Sequence, residues 1–86
     1  MEKRLVKELK EVVKALGDKS LKVETYTNPL AGRLEVYLKR SGQYVCSLNL
    51  KDDKVILWIQ APNQEKTVEE VAFKLKEKGF KTEIVK

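Results

Sequence analysis

Apolar residues occupy every second position in three successive segments between Leu34 and Ile59, and this alternation constrains the fold more than any other feature of the chain. Alternation with a period of two is typical of β-strands that bury one face. Two pairs of turn-forming residues, Ser41-Gly42 and Asp52-Asp53, separate the segments. The stretch therefore predicts three consecutive antiparallel strands joined by two hairpins.

The register of the first hairpin decides which residues share a face, because a shift of one residue turns every side chain to the other side. A three-residue loop with Gly42 in the left-handed position places Val36 opposite Cys46. A two-residue turn of Ser41 and Gly42 places Val36 opposite Ser47 instead. We expect the three-residue loop, since it pairs apolar residues with apolar residues.

The second hairpin is expected to have a two-residue turn at Asp52-Asp53, with Leu50 opposite Val55. The two registers together predict one continuous inner face, on which Leu38 lies opposite Tyr44, and they place Val45 on the outer face. The apolar residues of the inner face are Leu34, Val36, Leu38, Cys46, Leu48, Leu50, Val55, Leu57 and Ile59.

Two amphipathic helices are predicted outside this region. An apolar stripe that begins at Leu5 predicts a helix over residues 2–16. Thr67 and Glu70 match a capping box, so the second helix is expected to begin with Thr67 as its N-cap and to stop at Gly79.

Strands at residues 21–27 and 81–85 complete the element order α-β-β-β-β-α-β. We expect a single α+β domain over residues 1–86, built on a four-stranded antiparallel meander with both helices on its inner face. The last strand returns through a crossover and should run parallel to the fourth strand.

Length, charge and cysteine content restrict the class of protein. The 86 residues suit one compact domain, and the net charge of +5 favours contact with phosphates or with an acidic partner. The longest apolar run, Val55–Ile59, is too short to span a membrane, and the N-terminus has no apolar signal core. The chain has one cysteine, so no internal disulfide is possible. We expect a cytoplasmic protein without a membrane partner.

Catalytic chemistry finds little support in the sequence. The chain has no histidine, and the predicted register turns its single cysteine, Cys46, inward. Asp52 and Asp53 are explained by a turn, and Glu69 and Glu70 by the dipole at the start of a helix. We therefore expect a binding module and not an enzyme, with no catalytic residue, metal or cofactor.

The first helix carries a stripe of lysines, and two interpretations of it remain open. Lys3, Lys7, Lys10 and Lys14 recur at spacings of four, three and four residues, so they lie along one side of the helix. Such a stripe can follow a phosphate backbone. It is equally typical of a solvated helix face, and Glu8 and other charged neighbours favour that interpretation.

The outer face of the sheet is the strongest candidate for a binding surface. On the predicted register it exposes a cluster that monomers rarely leave in water, formed by Tyr26, Tyr37, Val45, Ile56 and Trp58. Lys22, Arg33 and Lys39 lie around this cluster.

Three explanations of this face compete. A second copy of the chain covers it, single-stranded nucleic acid stacks on it, or one of the helices packs against it. We take nucleic-acid binding as the leading function, with Tyr26, Arg33, Tyr37, Lys39 and Trp58 as candidate site residues on the sheet and the four helix lysines beside them. The alternative is a homodimeric interaction or regulatory protein whose interface is the same face.

Overall fold

The structure, a computed structural model, describes residues 2–30 and 32–86, apart from the side chains of Glu2, Asn28 and Arg33. Its helices and strands follow one another in the predicted order, so the α+β class and the α-β-β-β-β-α-β arrangement are confirmed. The elements are α1 (Glu2–Leu16), β1 (Leu21–Asn28), β2 (Arg33–Arg40), β3 (Gln43–Lys51), β4 (Lys54–Ile59), a short 3-10 turn (Pro62–Gln64), α2 (Glu65–Glu77) and β5 (Lys81–Val85).

The five strands form one sheet in the order β1-β2-β3-β4-β5. The first four are antiparallel to their neighbours, and β5 pairs in parallel with β4, as predicted. A parallel return needs a crossover, and α2 supplies it. Both helices pack on the same side of the sheet, which confirms the predicted arrangement.

The core lies between this inner face and the two helices. From α1 it receives Leu5, Leu9 and Val12, and from α2 it receives Val68, Val71 and Leu75. The predicted inner face is buried with them, although Leu34, Leu50 and Ile59 are only partly covered. Burial of these side chains is the main source of stability, at about 1.5–3 kcal/mol for each large apolar side chain.

The first hairpin differs from the prediction, and the three-residue loop is wrong. Arg40 pairs with Gln43 across a two-residue turn, in which Ser41 and Gly42 have φ values of +50° and +83°. Two left-handed residues in succession are the signature of a type I′ turn, whose twist suits a hairpin. Glycine adopts such a conformation without a steric penalty.

A β-bulge follows this turn and restores the alternation of the strands. Lys39 pairs with Tyr44 but Leu38 pairs with Cys46, so Val45 has no residue opposite it. The extra residue returns Cys46, Leu48 and Leu50 to the inner face. Two predictions are corrected by it: Val45 is fully buried, and Tyr44 belongs to the outer face.

The second hairpin agrees with the prediction. Lys51 pairs with Lys54 around the two-residue turn, and Leu50 lies opposite Val55. Its first turn residue, Asp52, has a φ of +59°, a conformation that aspartate tolerates better than most residues.

The start of α2 also differs from the prediction. The helix begins at Glu65, directly after the 3-10 turn, and its N-cap is Gln64 without a side-chain capping bond. The capping box is therefore absent. The Thr67 hydroxyl instead accepts a hydrogen bond of 3.1 Å from Nη1 of Arg40, a residue distant in the chain.

The end of α2 is as predicted. Gly79 has a φ of +98°, and the Phe80 amide donates to the Leu75 carbonyl oxygen at 3.1 Å, which is the long bond of a Schellman motif. Phe80 then packs into the core, with the Arg4 guanidinium 4.7 Å from the centre of its ring.

Arg40 joins three parts of the fold that are far apart in the sequence. Its guanidinium donates to Asp18 and Ser20 in the α1–β1 connection, and to Gln64 and Thr67 at the start of α2. Hydrogen bonds from Ser20, followed by the contact with Arg40, hold the pKa of Asp18 below its ordinary value. Planar guanidinium suits this role because it presents five donors in a fixed geometry.

Candidate functional site

The outer face of the sheet is open. Because both helices lie on the inner side, the explanation in which a helix covers the outer face is wrong. Three large aromatic side chains on this face are partly exposed: Tyr26 by 42%, Tyr44 by 40% and Trp58 by 42%. A sheet face with this composition is a candidate for contact with another molecule.

Three tyrosines from neighbouring strands form a single group, which we call the tyrosine cluster: Tyr26 on β1, Tyr37 on β2 and Tyr44 on β3. The rings of Tyr26 and Tyr37 meet edge to face, with centroids 5.8 Å apart and an interplanar angle of 73°. Those of Tyr37 and Tyr44 are 5.1 Å apart and tilted by 58°. The hydroxyl oxygens of Tyr26 and Tyr44 lie 3.3 Å from each other. The central ring, Tyr37, is half-buried, so its neighbours hold it in place.

The β-bulge is what brings the third ring into this cluster. Tyr44 lies opposite Lys39 and reaches the ring of Tyr37 diagonally, as long side chains do across a strand pair. The predicted register placed Tyr44 with the inner residues, so Tyr44 is absent from the predicted site. The signal that would have found it is the Ser41-Gly42 pair, which favours a two-residue turn.

A carboxylate and an ammonium fix the tyrosine cluster from the side. Glu24 accepts a hydrogen bond from the Tyr26 hydroxyl and forms an ion pair of 3.2 Å with Lys39. The Lys39 ammonium also lies 4.9 Å from the centre of the Tyr44 ring, within cation–π range. These contacts link all three strands through Lys39, which meets Glu24 of β1 and the Tyr44 ring of β3.

The same contacts shift the acidity of the groups involved. The hydrogen bond to Glu24 raises the pKa of Tyr26 well above its ordinary value, and that bond together with Lys39 lowers the pKa of Glu24. Burial, with the nearby charge of Glu35, raises the pKa of Tyr37. At neutral pH Tyr26 and Tyr37 therefore present neutral phenol rings.

Trp58 shares the outer face but stands apart from the tyrosine cluster. Tyr37 pairs with Ser47, which in turn pairs with Trp58. Two strand spacings, together about 10 Å, therefore separate Tyr37 from Trp58. Trp58 has apolar neighbours on its own side, Ile56 on β4 and Val85 on β5. We call these three residues the tryptophan patch. The structure thus brings Tyr26, Tyr37 and Lys39 together, but not Trp58.

A cleft of about 570 Å³ lies where β2 and β3 diverge. The ladder between them stops at Val36 and Leu48, although both strands continue beyond these residues. The cleft joins the core to the outer face, since its lining includes Leu5 of α1 as well as Trp58. The sequence contains no sign of this cleft, because strand divergence leaves no mark on an alternating pattern.

The remaining predicted site residues lie elsewhere. Lys3, Lys7, Lys10 and Lys14 are exposed on α1, in the helical layer and not on the outer face. None of the four forms an ion pair with a side chain that the structure describes. Arg33 begins β2, and its side chain lies outside the described residues.

Cys46 is a core residue. Its side chain is fully buried, and burial raises the pKa of the thiol to about 12. A thiol in this state is a poor nucleophile, because the thiolate is the reactive form.

Comparisons of the chain with models of protein families, with curated proteins and with solved structures found no match. In the described ranges, neither helix has the length and hydropathy needed to cross a bilayer.

Proposed function

We propose that this protein is a non-enzymatic, cytoplasmic module that binds single-stranded nucleic acid on the outer face of its sheet. The observation that carries the proposal is the tyrosine cluster, in which three rings from adjacent strands form a partly exposed platform beside an ammonium group. Bases stack on such rings irrespective of sequence, at about 1–3 kcal/mol per base. A single free cysteine fits the reducing environment of the cytoplasm.

The form of the surface favours a single strand over a duplex. Tyr26 and Tyr44 present their rings on an open face. They do not lie on an element that protrudes far enough to enter the groove of a duplex. In a duplex the faces of the bases are already stacked on each other, so an aromatic side chain reaches them only when the strand is unpaired.

The charges near the tyrosine cluster are divided between two roles. Lys39 is engaged by Glu24, so its ammonium stabilises the cluster and is only partly available to a phosphate. Lys22 pairs with Lys39 across the strands, is exposed, and has no ion pair within the described part of the chain. We therefore assign phosphate contact mainly to Lys22, with Arg33 and Lys39 as further candidates.

Fluorescence anisotropy with labelled single-stranded oligonucleotides at low salt tests this proposal. Tyr44→Ala and Tyr37→Ala should each weaken binding about five-fold or more, because each removes one stacking surface. Tyr44→Phe should retain most of the affinity, since the ring remains.

Phe73→Ala is the matched control for these variants. Phe73 is an aromatic residue that is 61% exposed on α2, away from the outer face, and its removal should leave binding unchanged. Absence of binding by the unmodified protein at low salt, or an equal loss in Phe73→Ala, would overturn the proposal.

The tryptophan patch favours a second candidate function, a homodimer that pairs through the outer face. Ile56, Trp58 and Val85 form an uncharged surface at the opposite end of that face from β1. A stable interface buries about 1,200–2,000 Å² in total, and an aromatic residue at its centre is typical of one. Light scattering should then give a dimer mass that Ile56→Lys reduces to a monomer, and a monomeric unmodified protein would exclude this candidate.

A further inference from the structure

Two shallow hollows meet at the edge of the sheet formed by β1. One, of about 370 Å³, lies between the end of α1 and the start of β1, where Lys10, Lys14 and Lys19 line it. The other, of about 410 Å³, lies beside the first hairpin turn, and its lining includes Lys19, Lys22 and Lys39. Since Lys19 lines both, the two hollows adjoin and together mark a path around the edge of the sheet.

The lysines along this path carry uncompensated charge. Lys10, Lys14, Lys19 and Lys22 are all exposed and have no ion pair with any residue that the structure describes. Lys78 provides the contrast, because Glu8 and Glu11 of α1 lie 3.2 and 3.4 Å from its ammonium.

The two carboxylates that line these hollows are already occupied. Asp18 is bound by Arg40 and Ser20, and Glu24 by Lys39 and Tyr26. Neither is therefore free to neutralise the lysines, and the surface keeps a net positive charge that attracts polyanions.

We infer that single-stranded nucleic acid bound at the tyrosine cluster continues around the β1 edge towards α1, with its phosphates on a belt formed by Lys10, Lys14, Lys19 and Lys22. This inference rests on the proposed function. The belt begins where the bases are expected to stack, because Lys39 lines the second hollow and also lies over the Tyr44 ring. The bases and the phosphates of one strand thus have separate, adjoining surfaces.

Salt dependence distinguishes belt contacts from stacking. Each phosphate neutralised by a lysine contributes about 0.7 to the slope of log affinity against log salt for a single strand, so the four lysines contribute about 2.8. Stacking on tyrosine releases no counterions. The two surfaces should therefore respond to different substitutions in different measurements.

The experiment measures the affinity for a tetranucleotide and for a 16-mer between 50 and 200 mM salt. For the 16-mer, the double variants Lys10→Gln with Lys14→Gln, and Lys19→Gln with Lys22→Gln, should each lower the slope by about 1.4. When the salt rises from 50 to 200 mM, the factor by which each variant loses affinity is then about seven-fold smaller than for the unmodified protein. For the tetranucleotide, most of whose bases are expected to stack on the three rings, the Lys10 and Lys14 variant should have no effect.

The pair Lys66→Gln with Lys76→Gln is the matched control. Both lysines are exposed on α2 and have no ion pair within the described residues, so the charge change is the same in a different place. This control should leave the slope for the 16-mer unchanged, and circular dichroism should show that all variants are folded.

The outcomes separate the inference from the proposed function. One outcome overturns the inference alone: the tyrosine variants weaken binding, but the belt variants leave the salt slope for the 16-mer unchanged. The inference is also overturned if the control variant lowers that slope as much as the belt variants do. If no oligonucleotide binds, the proposed function fails and the inference falls with it. Binding of the unmodified protein to anionic lipid vesicles but to no oligonucleotide would overturn both.

Discussion

The β2–β3 and β3–β4 hairpins have turns of equal length, yet they produce different surfaces. Around Asp52-Asp53 the ladder is regular, and every inward residue on one strand faces an inward residue on the next. Around Ser41-Gly42 the ladder is interrupted after two pairs by a bulge. The comparison shows that one additional residue, and not the turn itself, decides which side chains the sheet presents to solvent.

The candidate site lies at the hairpin that carries the bulge. There Tyr44 faces outward next to Tyr37, while the following residue, Val45, is buried. The other strand of the regular hairpin, β4, contributes no residue to the tyrosine cluster. Bulges commonly occur next to functional sites because they redirect a side chain without disturbing the rest of the strand.

The largest expected effect is on the alkylation of Cys46, the residue that directly follows the bulge, which should differ in rate between the native and the unfolded protein. Its thiol has a pKa of about 12 in the folded protein, compared with about 8.5 for a free cysteine. At pH 8 the native protein should react with an alkylating reagent about a thousandfold more slowly than the unfolded chain. Mass spectrometry over time measures both rates, and fast native labelling would show that the bulged strand is not packed.

Val45→Ala should lower the free energy of unfolding by about 2–3 kcal/mol, since a fully buried valine loses two methyl groups and leaves a cavity. Val55→Ala in the regular hairpin should cost a similar amount, because Val55 is equally buried.

Only the Val45 variant should also weaken oligonucleotide binding, as it disturbs the position of Tyr44. Urea unfolding together with anisotropy gives both quantities. A cost for Val45→Ala that is close to zero would contradict its burial.

Gly42→Ala should cost about 1–2 kcal/mol, because alanine at a φ of +83° is strained. Apart from its chain neighbours, no atom of the described residues lies within 4 Å of the position that the new Cβ would occupy, so the loss measures backbone strain alone. Equilibrium unfolding of this variant beside the unmodified protein provides the test, and an unchanged midpoint would argue against the left-handed turn.

Ser41→Asn should have the smallest effect, a gain of about 0.5 kcal/mol. Asparagine followed by glycine is the preferred pair for a type I′ turn, and Ser41 already has a φ of +50°. Asp52→Asn in the second hairpin should change stability less, because aspartate also tolerates that conformation. Equal shifts of the urea midpoint for Ser41→Asn and Asp52→Asn, in the same direction, would contradict this expected difference between the hairpins.

The sequence predicted the element order, the sheet topology and the second register because each depends on strict alternation and on local turn residues. It failed at the first register because pairing like with like assumes a regular ladder, and a bulge at Val45 breaks that assumption while preserving the inner face. The absence of Tyr44 from the predicted site follows directly from that failure.

Other features escaped the sequence because they depend on distant residues. Arg40 binds side chains 20 to 27 residues away, and no local pattern indicates such partners. The hydrogen bond from Arg40 also explains why Thr67 and Glu70 do not form the predicted capping box. The Thr67 hydroxyl has Arg40 as its partner, and α2 begins earlier, at Glu65. Tyr26, Tyr37 and Lys39 were found because alternation alone places them on one face.

The position of β1 at the edge of the sheet has a consequence for solubility. Its outer backbone groups have no neighbouring strand among the described residues, and such an edge is a template for aggregation. Lys22 lies on this edge strand and Lys19 shortly precedes it, and exposed lysines on an edge strand oppose its pairing with another chain. Replacing these lysines with glutamine should therefore make the free protein aggregate more readily at high concentration, while a bound strand that covers the edge should protect it.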